Sequence, residues 1–163
     1  MYCYCLLELK VSAVIYVDET GINQCFGREF GRAKKGVKVQ DTKRGQTFKR
    51  TNIIGAIRGK EFLACQYYQH STNAAFFEDW FEFELIPLLT EMSLVIMDNA
   101  SFHRKKQLRE IAEKYHIILI FLAPYSPDYN PIEKCWANFK RWLNDNFTRF
   151  KTLDWCILVY FDH

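Results

Sequence analysis

Three acidic residues fall where a sheet-based fold could use them. Asp18 ends the apolar run VSAVIYVD, Asp98 ends SLVIMD, and Glu133 follows the proline-rich stretch PYSPDYNP at 124–131. A lone acid in such a place is ordinarily a cap or a solvated turn residue. Three acids meeting in one place are different, because closely packed carboxylates resist ionisation unless a cation lies between them. Mg2+, with Mn2+ as a substitute, suits that role: it prefers hard oxygen ligands and needs one or two carboxylates, a substrate phosphate supplying the rest. Two such ions about 3.5–4 Å apart can hold the attacking and leaving oxygens of an in-line phosphoryl displacement. Glu133 also has a plain structural reading. Asn130 is a good N-cap, Pro131 suits the first helical position, and Glu133 at the third could reach back to the cap as in a capping box. The two roles compete for one side chain, and the stiff loop before it, which restricts where Glu133 can go, favours the metal.

These acids need elements to carry them. The β-branched stretch 11–20 predicts a buried strand with Asp18 at its carboxyl end. Residues 21–50 hold five glycines and a cluster of basic side chains, and read as a long insertion or hairpin. TNIIGAI (51–57) and EFLACQYYQ (61–69) flank Arg58-Gly59-Lys60, a hairpin signal. The stretch 71–89 opens with capping residues and spaces Phe77, Phe81, Leu85 and Leu88 helically, with Pro87 set to kink or end the helix. Residues 93–100 predict a second buried strand, 101–116 a polar surface helix, and 116–124 a third buried strand stopped by Pro124. In the last helix, from Pro131, residues Ile132, Trp136, Phe139 and Leu143 share one apolar stripe. Glu133 lies roughly 100° off that stripe, at the margin of the buried face. A hairpin followed by strands alternating with helices predicts an α/β domain with a mixed sheet flanked by helices. Chemistry in such sheets gathers at the carboxyl ends of the strands.

The chain has 163 residues, 49% of them hydrophobic, which suits one domain over 1–163 with its core at about 11–146. Its +3 charge is unevenly spread. Arg28, Arg32, Lys34, Lys35, Lys38, Lys43, Arg44, Lys49 and Arg50 face two acids over 28–50, a net of +7 that leaves −4 for the remainder. A basic segment on a slightly acidic body points to a polyanion, and the plainer reading is a solvated loop. Six cysteines show no CxxC pair and no zinc spacing, and read as small core residues in a reducing compartment. The first ten residues make a poor signal peptide and the longest apolar runs are too short for a bilayer, so an intracellular soluble domain is expected.

Taken together, IYVDET, LVIMDNASFH and LIFLAPYSPDYNPIEKCWANFKR resemble the catalytic domain of DDE transposases, most closely the insertion-sequence branch of the mariner-like superfamily. The 34 residues between Asp98 and Glu133 match the spacing of that branch, and the likeness covers roughly residues 13 to 146. The resemblance implies a ribonuclease-H-like fold and Asp18, Asp98 and Glu133 as the catalytic, metal-binding triad holding two ions. It also implies metal-dependent cutting of transposon ends and joining of the freed 3′-OH to target DNA. The partners implied are double-stranded DNA, both transposon ends and target, and a second copy in a homodimer, with no membrane. Full-length relatives carry an N-terminal helix-turn-helix region that has no counterpart before Asp18; a separate reading frame could supply that segment, or the chain could be a truncated copy. The location implied is nucleoid-associated cytoplasm in a bacterium or the nucleus in a eukaryote.

Around the triad, His103 could touch phosphate, orient a bound water or make a structural hydrogen bond, and Asn99 and Asn130 are further supporting candidates. Glu19 should point to the face opposite Asp18 if the strand continues. Asp128 reads as a turn residue. Tyr125 and Trp136 could stack on a base, with core packing the safer reading for Trp136. Lys105 and Lys106 contact phosphate or face solvent. Two other functions remain open. One is a non-catalytic DNA-binding remnant of the same fold. The other is a ribonuclease-H-type nuclease, which needs a further acid that Glu78 or Glu82 could supply.

Overall fold

The computed structural model describes residues 11–23, 50–123, 130–150 and 152–161. Within them the chain forms strands β1 (Val14–Asn23), β2 (Arg50–Arg58), β3 (Glu61–Tyr68), β4 (Leu94–Met97) and β5 (Ile118–Phe121). They make one sheet in the order β3-β2-β1-β4-β5. β2 runs antiparallel to both β1 and β3, whereas β4 pairs parallel with β1 and β5 parallel with β4. The hairpin expected around Gly59 forms, with Gly59 at φ +64°, a conformation that glycine adopts without a Cβ clash. This is the mixed sheet expected.

Helix α1 (Ala74–Asp79) is capped by Asn73, whose side-chain oxygen accepts from the Phe76 N–H at 2.9 Å. The single regular helix expected over 71–89 does not persist. The chain widens into a π-helical stretch at Trp80–Leu85 and tightens into a 3-10 turn at Ile86–Leu88. Pro87 accounts for part of this, because it has no N–H and its ring excludes the normal helical carbonyl four residues back. The changed winding buries Phe77, Trp80, Phe81 and Leu85 but leaves Leu88 half-exposed, off the expected stripe.

Helix α2 (Lys105–Lys114) starts four residues later than the sequence suggests, because residues 98–104 are held in a turn. It is not wholly a surface helix either: Leu108, Ile111 and Ala112 are buried. Helix α3 (Ile132–Phe150) follows the proline-rich loop, and the apolar tail forms a further helix, α4 (Leu153–Phe161). The two stack through Phe139, whose ring lies 4.8 Å from Tyr160 and 4.9 Å from Phe161.

The sheet is covered on both faces. Phe77, Phe81, Leu85 and Leu108 pack on Ile15, Val17, Val95 and Met97. On the other face Ile132, Trp136, Phe139 and Leu143 pack on Ile22, Ile53 and Ile57, so the expected stripe of α3 is the one that is buried. Each fully buried side chain of this size contributes about 1.5–3 kcal/mol, so α3 is held firmly at its start as well as along its length. Among the described residues no helix is long and apolar enough to cross a membrane.

Candidate active site

Asp18 does not end its strand. β1 continues to Asn23, because the long antiparallel β2 supplies backbone partners through the pair Asn23 and Arg50. On its other side β1 loses its neighbour sooner, since the parallel pairing with β4 stops at Val17 and Met97. Asp18 and Asp98 are therefore the first residues beyond that paired segment on two adjacent strands. Alternation along the continuing strand sends Glu19 to the face opposite Asp18, as expected.

Asp98 is firmly held. Its Oδ1 accepts from the Ala100 N–H at 3.1 Å and lies 3.1 Å from His103 Nε2. A carboxylate can only accept, so Nε2 carries the proton in this contact. The His103 ring is buried, with the rings of Phe77 and Phe102 each 4.3 Å away, and its Nδ1 has no partner among the described residues. Burial pushes the Asp98 carboxyl up, but the hydrogen bonds from His103 and Ala100 outweigh it and hold the group below its usual range. Of the roles open to His103, the one the geometry shows is a hydrogen bond to Asp98. Asn99, in the same turn, keeps a buried Oδ1 without a partner among the described residues.

Asp18 is pushed the other way, up to about 7, by burial first and then by the charges of Glu133 and Asp98. Its Oδ2 accepts from the indole Nε1 of Trp136 at 3.2 Å. Glu19 is raised to about 8, again by burial and then by Asp98 and Asp18, and its Oε1 is buried without a partner among the described residues. A run of carboxylates in partly dry surroundings thus carries unneutralised repulsion.

Glu133 is placed by Asn130. The buried Asn130 accepts from the Ile132 N–H through Oδ1 and donates from Nδ2 to the Val17 carbonyl, both at 3.4 Å. One side chain thus caps α3 and ties its first turn to β1, one residue before Asp18. The Glu133 N–H bonds the Asn130 carbonyl at 3.2 Å, and among the described residues its carboxylate makes no return bond to the Asn130 N–H. Among the described residues the cap is Asn130 alone. The Glu133 carboxylate is left exposed, close enough to raise Asp18.

The expectation of three carboxylates closing on one point is narrowed by the structure. Among the described residues no group of three His, Cys, Asp or Glu side chains is placed to hold one ion. Mutual repulsion opposes such a cluster, and what forms is electrostatic contact of Asp18 with Asp98 and with Glu133. All the donors are hard carboxylate oxygens, and Mg2+ asks for one or two from the protein, so the residues fit Mg2+ or Mn2+.

Other candidates lie elsewhere. Arg28, Arg32, Lys34, Lys35, Lys38, Lys43, Arg44 and Lys49, with Tyr125 and Asp128, are outside the described residues. Arg50 opens β2, exposed, and donates from Nε to Asn52 at 3.1 Å. Glu78 is committed to a bidentate ion pair with Arg104, one arm at 2.8 Å, and Glu82 to Lys114 at 2.7 Å and Tyr115 at 3.0 Å. Neither is spare for a metal. Lys105 sits 5.8 Å from the Phe121 ring centre, and the highly exposed Lys106 lies 3.9 Å from Glu110. Trp136 is 1% exposed, so it belongs to the core and has no face open to a base. The residues that sequence reasoning missed are Trp136, as the partner of Asp18, and Gly55. The available signal was a glycine inside the strand run TNIIGAI, which often marks a close approach to backbone.

The sequence pattern of the family described as DDE superfamily endonuclease matches residues 13–154. The chain belongs to this family. No curated protein matches this DDE endonuclease chain in sequence. Among solved structures it resembles the Mos1 transposase paired-end complex with left transposon end, with TM-score 0.65 and 20% identity over 86% of this chain and 46% of that one. It resembles the Mos1 strand transfer complex at TM-score 0.63, 22% identity, and 85% and 45% coverage. A third likeness is the simian T-cell lymphotropic virus intasome in complex with PP2A regulatory subunit B56 gamma, at TM-score 0.61, 13% identity, and 93% and 47% coverage. At these identities the likeness is one of fold, the ribonuclease-H-like sheet with its flanking helices. This chain spans slightly under half the length of each.

Proposed function

We propose that this DDE endonuclease domain is a transposase catalytic domain of the insertion-sequence branch, which cuts transposon-end DNA and transfers the freed 3′-OH to target DNA. One observation carries the reading. Asp18 stands beside Asp98 past the end of the β1–β4 pair, and its carboxyl is pushed up to about 7 by burial, Glu133 and Asp98. Carboxylates set against one another in this way are what a hard divalent cation relieves. Asp18 and Asp98 would hold one ion, and Asp18 and Glu133 the other. When bound, such ions supply Lewis acidity at the scissile phosphate and a nucleophile at neutral pH. The chain's own part is placement: His103 and the Ala100 N–H hold Asp98, and Asn130 holds the start of α3 so that Glu133 stays near Asp18.

The 34-residue interval between Asp98 and Glu133 supports the insertion-sequence branch. The basic run 28–50 supports contact with the DNA backbone through charge, without sequence reading. One Mos1 structure is described as a paired-end complex with left transposon end, and two others as paired-end complexes, one with Mn and one with Mg, which supports DNA and divalent metal as partners here. A homodimer and a separate N-terminal DNA-reading segment complete the proposal. The ion pairs that occupy Glu78 and Glu82 weigh against a ribonuclease-H-type nuclease.

The test is strand nicking of a terminal-repeat duplex and of an RNA–DNA hybrid, each with Mn2+ and with chelator. Nicking of the duplex that Asp98→Ala abolishes is the expected result. Undiminished nicking by Asp98→Ala, or cleavage of the hybrid alone, overturns the reading.

A further inference from the structure

The indole of Trp136 does more than fill the core. From α3 it lies across β2 directly over Gly55: a Cβ built on Gly55 would stand 2.7 Å from Trp136 Cη2 and 3.0 Å from Cζ2, closer than a side chain tolerates. Gly55 is the residue of β2 paired with Asp18 of β1. The ring therefore crosses the strand pair at the level of the acid, and its Nε1 reaches Asp18 Oδ2 at 3.2 Å. Phe62, with its ring 5.2 Å from Trp136, and Phe161, 6.4 Å away, help to enclose it. At 1% exposure the ring has no room to turn.

We infer that Trp136 is a positioning residue for Asp18, setting the plane of its carboxyl group, and that Gly55 keeps clear the path that lets the indole reach it. The inference rests on the metal-dependent reading of this site. Fixing one oxygen of a short side chain fixes the other, so a rigid donor at Oδ2 settles how Oδ1 is presented. The donor's chemistry matters. A lysine or arginine in this place would form an ion pair with Asp18 and compete with a cation for its charge, whereas an indole N–H orients the carboxylate and leaves its charge available. Asp98 is treated alike from the opposite face of the sheet, where the ring N–H of His103 meets its Oδ1. Each aspartate thus has one oxygen anchored by a ring N–H, Asp18 from helix α3 and Asp98 from the turn that precedes α2.

The experiment measures Mn2+ binding to the 163-residue chain by titration calorimetry, with thermal unfolding in parallel. Removing an outer partner that orients a metal ligand typically weakens metal affinity by about 10–100-fold. Trp136→Phe is expected to weaken Mn2+ binding at least about tenfold. Phe139→Leu, a buried change one helical turn along the same stripe, should lower the unfolding temperature and leave Mn2+ affinity as in the wild type. Gly55→Ala is expected to weaken binding by displacing the indole. In the double variant Gly55→Ala with Trp136→Phe, the smaller ring lacks the atoms that meet the new methyl, so stability should recover relative to Gly55→Ala while Mn2+ affinity does not. Wild-type affinity in Trp136→Phe, an equal loss in Phe139→Leu, or recovery of affinity in the double variant each overturns the inference. Asp18→Ala separates the two readings. If it loses Mn2+ while Trp136→Phe keeps it, the positioning role alone falls; if it binds Mn2+ like the wild type, the metal site falls and the positioning role with it.

Discussion

Replacing Asp18 by Asn should stabilise the metal-free protein while removing its response to Mn2+. The carboxyl of Asp18 is pushed from 3.8 up to about 7 in the fold, chiefly by burial and then by Glu133 and Asp98. In the unfolded chain it ionises near its ordinary value. Between these limits the native state retains a proton that the unfolded state has released, so stability falls as pH rises from about 4 to about 7, and the full penalty is present above that. A shift of about three units corresponds to roughly 4 kcal/mol at 1.36 kcal/mol per unit. Sharing of charge among three neighbouring acids and residual solvent lower this, and about 2 kcal/mol is the expected size. Asn keeps the shape and an oxygen acceptor for the Trp136 N–H, so little else changes. Urea unfolding at about pH 8 should show Asp18→Asn more stable than wild type by about 2 kcal/mol, with the gap closing toward about pH 4. Added Mn2+ should stabilise the wild type by mass action and leave the variant unmoved. A variant no more stable than wild type at pH 8, or one whose advantage persists undiminished at pH 4, would refute the electrostatic account.

Two other perturbations test the surroundings. His103→Gln keeps an N–H donor near the position of Nε2 and should retain more duplex nicking than His103→Asn, which places its amide nearer Nδ1 and should fall at least about tenfold; equal loss in both would remove the hydrogen bond to Asp98 from the account. Arg104→Ala leaves the carboxylate of Glu78, 9% exposed, without its partner, and should lower the urea midpoint of unfolding. Its Mn2+ affinity should match the wild type, and a drop would place Glu78 nearer the chemistry than the ion pair indicates.

Much of the architecture was legible because it follows from local pattern. The hairpin at Gly59, the strands carrying Asp18 and Asp98, and the α3 stripe of Ile132, Trp136, Phe139 and Leu143 are all found where periodicity and turn residues put them. Where the reading failed, a partner elsewhere in the chain decided. Asp18 seemed to end a strand because the composition changes there, yet β2 supplies the backbone partners that carry β1 on to Asn23. The helix expected from residue 101 begins at Lys105, because Asp98 draws Ala100 and His103 into a turn.

For the site, the sequence alone determined which residue types are present, that two aspartates follow apolar strand runs, and that a constrained loop delivers a glutamate to a helix start. Those are matters of local spacing, and local spacing is all a linear reading can weigh. The tertiary structure alone decided how the acids relate: Asp18 contacts Asp98 and Glu133 electrostatically, Asn130 caps α3 without a return bond from Glu133 among the described residues, and the indole of Trp136 donates to Oδ2 of Asp18. Trp136 lies 118 residues from Asp18 in the chain, and neighbours so distant become neighbours through the packing of α3 on the sheet.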